Sequence, residues 1–244
     1  MDRLRPIPPF RYGARVVLAL VVGLLTANAY WTVRHFAAEA YCNTVTNSTL
    51  NRDQDPALEE IHGALSWDSE NAKYWYRLAR KLWGIRSSSQ GALSSEESYE
   101  KQLEIVKALE EAVQLNPFDA QCHVLLGWEY SYLWQDPDYH NKWLTAADRS
   151  MERAAFFAGE SDPHLHINIG NYWIMRSKTA LPSDSRWGAA WTQARRHYGK
   201  ALSLGKTKAV RDEIEAFVWK FYPDEAMLRD VILSTMAEEE SHGR

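Results

Sequence analysis

The sequence predicts an all-α protein, an α-solenoid of helix pairs preceded by one N-terminal transmembrane helix. From Asp53 onward, apolar residues recur at helical spacing between polar breaks, and strand-like alternation is nearly absent. The only long apolar run, Val16 to Val33, comes before that region and reads VVLALVVGLLTANAYWTV. With 244 residues, 45% of them hydrophobic and 25% charged, the chain can fill one substantial core.

The apolar run predicts a membrane anchor whose amino end faces the cytoplasm. Arginines precede the run, and Tyr30 and Trp31 stand at its far end, as the positive-inside bias and the aromatic belt require. The expected order is a basic cytoplasmic tail at 1–15, a transmembrane signal anchor at 16–36, a stalk at 37–52 and a helical repeat domain at 53–240. This topology predicts a single-pass protein of a bacterial inner membrane with a periplasmic repeat domain.

A cleaved signal peptide is the alternative for the same segment. A short apolar core is followed by Ala27-Asn28-Ala29, which fits an A-x-A cleavage site. Apolar and aromatic residues continue through Phe36, however, and this favours the anchor. Both interpretations send residues 40–244 across the membrane.

Charge argues against a nucleic-acid partner. Residues 1–15 carry four arginines against Asp2, a local charge of +3, and subtracting it from the total of −4 leaves −7 for the rest. A domain this acidic is a poor match for a phosphate backbone.

The two cysteines predict neither a zinc site nor a disulfide. Cys42 and Cys122 lack CxxC spacing, and Asp119 stands where a haem-attachment motif before His123 needs its first cysteine. One cysteine lies near the expected stalk and the other in a core helix, so two independent thiols are expected.

No sequence motif for catalysis is present, and a non-enzymatic protein without cofactor or metal is expected. The chain has no HExxH, GxSxG, phosphate-binding loop or dinucleotide fingerprint. Asp53-Gln54-Asp55 precedes Pro56 at a helix start, where capping explains it. His164 and His166 are two residues apart on a helix and so point in different directions, unlike ligands of one metal.

Apolar periodicity and capping signals predict nine helices after the anchor. Asp55-Pro56 and Asp162-Pro163 place a capping carboxylate before a proline at the first helical position, and Ser94 to Glu97 offers a capping box. The predicted helices lie at 55–66, 71–84, 96–115, 119–134, 141–158, 163–178, 186–204, 207–221 and 223–238.

The helices repeat in pairs. Three first helices share apolar or small residues at spacings of three, one and three, and the second helices share small residues that also align. The first-helix sets are Trp75, Leu78, Ala79 and Leu82; His123, Leu126, Gly127 and Tyr130; and His166, Ile169, Gly170 and Trp173.

This pattern resembles the tetratricopeptide repeat (TPR) family over residues 53–221. Ala112, Pro117, Leu126, Gly127 and Tyr130 fall at the family's intervals. The repeats are 48 and 43 residues apart instead of 34, with inserts between the two helices of each pair, so a HEAT-like array of similar period stays possible.

The resemblance implies a concave groove that binds an extended or helical protein segment. Family groove positions carry over to residues on three first helices, and Arg77 lies beside them. These are Lys73, Tyr76, Arg80 and Trp83; Gln121, Val124, Trp128 and Ser131; and His164, Ile167, Asn171 and Ile174. The alternative for Trp83 and Trp128 is a core position, because large aromatic side chains are usually mostly buried.

The function implied is that of a membrane-anchored scaffold or assembly factor for protein partners in an envelope or membrane complex. A permanent accessory subunit of a large membrane complex is one alternative. A periplasmic carbohydrate-binding or carbohydrate-modifying protein is another, because exposed tryptophans stack on sugars.

Overall fold

A computed structural model describes residues 9–44, 56–89, 94–134, 140–160, 162–179 and 185–223. These residues form nine α-helices and no strand. The helices are α1 (Pro9–Thr44), α2 (Pro56–Trp67), α3 (Ala72–Ser88), α4 (Ser95–Leu115), α5 (Ala120–Leu133), α6 (His140–Ala158), α7 (Pro163–Ser177), α8 (Ser185–Gly205) and α9 (Lys208–Phe221). The predicted all-α class is confirmed.

Eight of the predicted repeat-domain helices are present, most with ends within one or two residues of the prediction. The exception is the end of α3, which continues to Ser88 instead of stopping at 84. The added turn contains Arg86, whose side chain pairs with Glu129. The predicted helix at 223–238, the tail before Pro9 and most of the three inserts lie outside the described residues.

The predicted helix starts have the expected caps. Ser94 accepts a hydrogen bond from the Glu97 backbone N–H, and the Glu97 carboxylate accepts one from the Ser94 backbone, which completes a capping box. Asp162 caps α7 through the His164 N–H at 2.9 Å, with Pro163 at the first helical position.

The chain divides into two compact units, Met1–Lys81 and Leu82–Arg244, and the division falls within α3. In the first unit, α1 packs along α2. Residues 13–33 of α1 are exposed, whereas Ala38 is fully buried. The single helix α1 therefore joins an exposed apolar segment to a carboxyl end that packs on α2.

In the second unit, helices that follow one another in the sequence pack as pairs, and alternate helices also touch. The closest pairs are α5 with α6 and α7 with α8, and α5 contacts α7 as α7 contacts α9. This side-by-side packing of α5, α7 and α9 is what stacked helix pairs produce. Fully or nearly fully buried apolar residues fill the interior, among them Ile105, Leu109, Met151, Ile169 and Ile214.

The glycines of the predicted first-helix pattern mark close helix contacts. A Cβ at Gly127 would lie 2.8 Å from Met151 Cε, and one at Gly170 would lie 2.5 Å from Tyr198 Cε1. Met151 lies on α6 and Tyr198 on α8, the second helices of the two pairs. The repeat alignment read from spacing thus corresponds to equivalent packing contacts.

The first residue of each aligned first-helix set makes the same kind of hydrogen bond. Trp75 Nε1 donates to the Ser69 carbonyl at 2.8 Å. In the later repeats, His123 Nε2 lies 2.9 Å from the Pro117 carbonyl and His166 Nε2 lies 3.1 Å from the Gly159 carbonyl. Each ring N–H thereby satisfies a carbonyl of the turn that precedes its helix, which fixes that turn.

Candidate protein-binding groove

The first unit holds four residues of the predicted groove, all on α3. Lys73 and Arg80 are exposed, and Tyr76 and Arg77 are partly exposed. Lys73 Nζ lies 2.9 Å from Glu39 Oε1, so this lysine is already paired with a carboxylate near the carboxyl end of α1. The pair stands half in solvent and contributes little stability by itself.

The predicted groove residues of helix α5 differ in their exposure to solvent. Gln121 is exposed, whereas Val124 and Ser131 are buried. Trp128 is partly exposed, and its ring meets the Tyr172 ring of α7 edge to face, with centroids 6.0 Å apart and planes at 89°. Gln121 and part of Trp128 are therefore accessible to solvent, whereas Val124 is not.

The predicted groove residues of helix α7 also differ in their exposure to solvent. His164 is exposed, and its Nδ1 lies 3.2 Å from Glu213 Oε2 on α9. Asn171 is buried and accepts a hydrogen bond from Tyr198 Oη at 2.8 Å, and Ile167 and Ile174 are fully buried. Of the α7 set, only His164 is open to a partner.

Trp83, at the end of α3 that belongs to the second unit, is 49% exposed. Its indole ring offers an apolar surface and one N–H donor, a combination that is common at protein interfaces. The accessible groove residues of the second unit are thus Trp83, Gln121, Trp128 and His164. We call these four residues the groove set.

A buried charged cluster near the groove set was not predicted. Glu129 is buried, and Arg86 Nη2 lies 3.6 Å from Glu129 Oε2. Gln102 Nε2 donates a hydrogen bond to the backbone carbonyl of Glu129 at 2.9 Å. Burial raises the pKa of Glu129, while Arg86 and Gln102 oppose that rise. The guanidinium of Arg86 also lies 5.1 Å from the Tyr132 ring centroid. The cluster joins α3, α4 and α5 within the second unit.

A second charged cluster ties α6 to α7. Arg176 Nε lies 3.1 and 3.2 Å from the two carboxylate oxygens of Asp148, and Tyr172 Oη donates to Asp148 Oδ1 at 2.5 Å. Arg176 and Tyr172 are one helical turn apart, so the sequence spacing permitted this arrangement without identifying Asp148 as the partner. The cluster holds in place the Tyr172 ring on which Trp128 packs.

Sequence reasoning also missed an exposed phenylalanine edge, formed by Phe118, Phe156 and Phe157. Phe118 is 72% and Phe156 81% exposed. Both rings meet Phe157 edge to face, at centroid distances of 5.5 and 5.1 Å. The signal was present in the sequence as Phe118 after the helix-ending Asn116-Pro117, and as two adjacent phenylalanines before Gly159.

The titratable residues near the groove set differ in their exposure. Among the described residues, no group of three or more His, Cys, Asp or Glu side chains is placed to hold a metal ion. His164 and His166 diverge as expected, the first exposed and the second buried. Cys122 is a buried free thiol, and burial together with Asp119 raises its pKa.

The crystal structure of a thermophilic TPR protein from Thermus thermophilus superimposes on this chain with a TM-score of 0.50. The match covers 82% of this chain and 100% of the other, at 16% sequence identity. The fold is TPR-like. No protein-family model matches the sequence, and no curated protein resembles it significantly. At this identity the likeness concerns the fold, and it agrees with the stacked helix pairs and the glycine contacts of the TPR-like array.

Helix α1 has the length and composition of a membrane span or a signal sequence. Residues Gly13–Ala40 form the one such helix in the described part of the chain, and the apolar window is not buried in the protein. A core helix of a soluble domain would bury this surface.

Proposed function

We propose that this protein is a non-catalytic, membrane-anchored TPR scaffold or assembly factor that binds protein partners in a bacterial envelope complex. TPR-like arrays are of the kind that mediates protein–protein interaction, because stacked helices offer a large preformed surface. The proposal places that surface in the periplasm, with α1 in the inner membrane.

The groove set is the observation that carries the proposal. Trp83 and Trp128 present indole surface on helices, and exposed Gln121 and His164 offer hydrogen-bonding groups at the start of α5 and α7. Aromatic anchors surrounded by polar groups are typical of the residues that dominate protein interfaces. The Asp148–Arg176–Tyr172 cluster fixes the surface on which Trp128 rests, and this lowers the entropy cost of binding.

The anchor supports a scaffold in a second way. A domain held at the bilayer meets membrane partners at a raised effective concentration, so a groove of modest affinity suffices. The exposed apolar residues of α1 supply that attachment.

Co-purification from native membranes in mild detergent, quantified by mass spectrometry, tests the proposal. Trp83→Ala combined with Gln121→Arg should lower recovered partner by about tenfold or more, because each change is at an exposed groove position. Circular dichroism and melting temperature should stay close to those of the wild type. These substitutions leave Trp128 in place, because Trp128 packs on Tyr172 and its removal would perturb the fold.

A second variant serves as the matched control. Phe118→Ala with Phe156→Ala removes two exposed aromatic rings from the phenylalanine edge and should leave recovery unchanged. Partner loss in this variant alone would show that binding uses the phenylalanine edge and not the groove set. Retention on surface polysaccharide without any protein partner would contradict the scaffold and favour carbohydrate binding.

A further inference from the structure

The exposed Trp67 lies beside the outer end of the apolar segment of α1. Trp67 is the last residue of α2 and is 45% exposed. Its backbone carbonyl accepts a hydrogen bond from Arg34 Nε, and Arg34 Nη2 lies 3.7 Å from Asp68 Oδ1. All of these residues belong to the first unit, so the α2–α3 turn, residues 67–71, is held at the level of Arg34.

That level is close to the expected membrane surface. Arg34 follows Trp31 by three residues, a rise of about 4.5 Å along a helix. A headgroup layer is about 5 to 8 Å thick on each side of the hydrocarbon. Tyr30 and Trp31 are exposed and match the aromatic belt, so Arg34 and the turn it binds fall within the headgroup layer.

Other apolar residues at the same level remain exposed. Val33 is 62% and Phe36 76% exposed, on either side of Arg34 in the sequence. Beyond them the helix turns to protein contacts, with Ala38 fully buried and Glu39 paired to Lys73. The change from exposed apolar to buried contacts marks where α1 leaves the bilayer and enters the folded unit.

We propose that the α2–α3 turn is a membrane contact of the repeat domain, in which Trp67 inserts into the headgroup layer beside Tyr30 and Trp31. This inference rests on the proposed anchoring of α1. Tryptophan suits this layer because its ring is apolar and its N–H finds polar partners there.

The charges around the turn identify the kind of bilayer surface. The three cations Arg34, Lys73 and Arg77 are balanced by the three carboxylates of Asp68, Glu39 and the exposed Glu70. His35 Nδ1 also lies 3.7 Å from Asp68 Oδ2. A contact without net positive charge draws little from anionic lipids. The turn therefore fits the headgroups of any phospholipid surface, and salt should not release it.

The turn is rigid enough to carry this contact. The Asp68 N–H donates to the Ala64 carbonyl at 2.8 Å, and Trp75 Nε1 donates to the Ser69 carbonyl at 2.8 Å. Trp67 thus adds a second attachment to the one that α1 provides. Together, α1 and Trp67 restrict the tilt of the first unit relative to the bilayer.

Depth-dependent quenching of a fluorophore tests the contact in the full chain. In a background with Cys42→Ser and Cys122→Ala, single cysteines are placed by Ser66→Cys, Trp67→Cys, Glu59→Cys and Leu24→Cys, one per variant. Each is labelled with bimane and reconstituted in two sets of phosphatidylcholine vesicles, whose acyl chains are brominated either near the headgroup or near the chain end. Ser66→Cys keeps Trp67 in place, so the test does not depend on the substitution of the tryptophan itself.

The four positions give a built-in depth scale. Leu24 lies within the apolar run, and Glu59 lies eight residues before Trp67 on α2, about 12 Å farther along the helix. The bromines near the headgroup should quench the labels at Ser66 and Trp67 at least about half as strongly as the bromines near the chain end quench the label at Leu24. Neither set should quench the label at Glu59 appreciably. Anionic lipid or high salt should not change this order.

The outcomes separate the two proposals. Quenching at Leu24 with none at Ser66 and Trp67 would overturn the membrane contact and leave the anchor intact. Absence of quenching at all four positions would overturn the anchor and the contact together. Quenching at Glu59 equal to that at Ser66 would also contradict the inference, because the whole of α2 would then lie at the bilayer.

Discussion

The Nδ1 atoms of His166 on α7 and His197 on α8 lie 3.1 Å apart, and the two buried rings stack with planes at 19°. His166 Nε2 faces the Gly159 carbonyl at 3.1 Å, so Nε2 carries the proton. Its Nδ1 then accepts from the Nδ1–H of His197. This arrangement requires His166 to be neutral, and burial lowers the pKa of both imidazoles, that of His197 to about 4.

We expect stability to fall as the solution is acidified through the histidine range. The pKa of such a histidine is lower in the folded protein than its unfolded value of about 6.5. Its contribution to stability is complete when the pH is above the unfolded pKa, and it is lost as the pH falls toward the folded pKa. For His197 alone, the loss between about pH 7.5 and pH 5 is about 2 kcal/mol. Urea unfolding of the full chain in detergent, at the two pH values, measures it.

The control for this prediction is His197→Asn. The asparagine amide can donate to His166 Nδ1 from nearly the same position, but it does not titrate. The free energy of unfolding of the variant should fall by about 2 kcal/mol less than that of the wild type over the same pH interval. An equal loss in both proteins would show that His197 is not the group whose protonation matters.

Gly170→Ala and Gly127→Ala should differ although they occupy equivalent repeat positions. At Gly170 the new Cβ would meet the ring of Tyr198, which is fully buried and fixed by its hydrogen bond to Asn171. At Gly127 it would meet the end of Met151, a flexible side chain that can move. We expect Gly170→Ala to lower the free energy of unfolding by about 2 to 3 kcal/mol.

Gly127→Ala should change the free energy of unfolding by less than about 1 kcal/mol, because the gain in helix propensity offsets part of the crowding. Denaturant titration of both variants measures the difference. Equal effects would mean that Tyr198 can move as readily as Met151. They would also contradict the assignment of Tyr198 as the fixed wall of this contact.

Local patterns in the sequence were sufficient to predict the helices and the equivalence of the repeats. The three, one, three spacing brought His123 and His166 into alignment, and the structure gives both the same hydrogen bond to a preceding turn. Spacing along one helix determines such contacts because the turn before the helix is near in sequence. The alignment of the two histidines was predicted from the sequence, and the structure adds their hydrogen bonds.

The accessibility of the groove residues could not be predicted, because it depends on distant parts of the chain. Asn171 is buried since Gly170 lets Tyr198 approach closely enough for its hydroxyl to bond the amide. Lys73 pairs with Glu39, 34 residues away in the sequence. Helical periodicity gives the direction of a side chain, but not the neighbour that covers it.

Removal of the carboxylate of Asp148 should destabilise the α6–α7 contact. Asp148→Ala leaves the buried Arg176 without its ion pair and Tyr172 without its acceptor. An uncompensated buried cation is costly, and we expect a loss of about 3 kcal/mol in the free energy of unfolding. The Trp128 ring should also become more mobile, because it packs against Tyr172.

The matched control removes another aspartate of an ion pair. Lys208 Nζ lies 2.7 Å from Asp212 Oδ2, but both side chains are largely exposed. Asp212→Ala should leave the melting temperature nearly unchanged, since water replaces the lost carboxylate. If the two substitutions have similar effects, burial does not strengthen the Asp148–Arg176 pair.

The anchor interpretation predicts that the intact protein stays in the membrane at high salt with its first residues present. The alternative cleavage site Ala27-Asn28-Ala29 lies inside α1, which is one continuous helix from Pro9 to Thr44. The substitutions Ala27→Leu and Ala29→Leu abolish the small-residue pattern that a signal peptidase needs. The wild type and this variant should therefore have the same number of residues. Their masses should differ only by the two substituted side chains. A shorter wild-type chain that begins at Tyr30 would establish the signal peptide, while residues Trp31 to Thr44 would still be available to pack on α2.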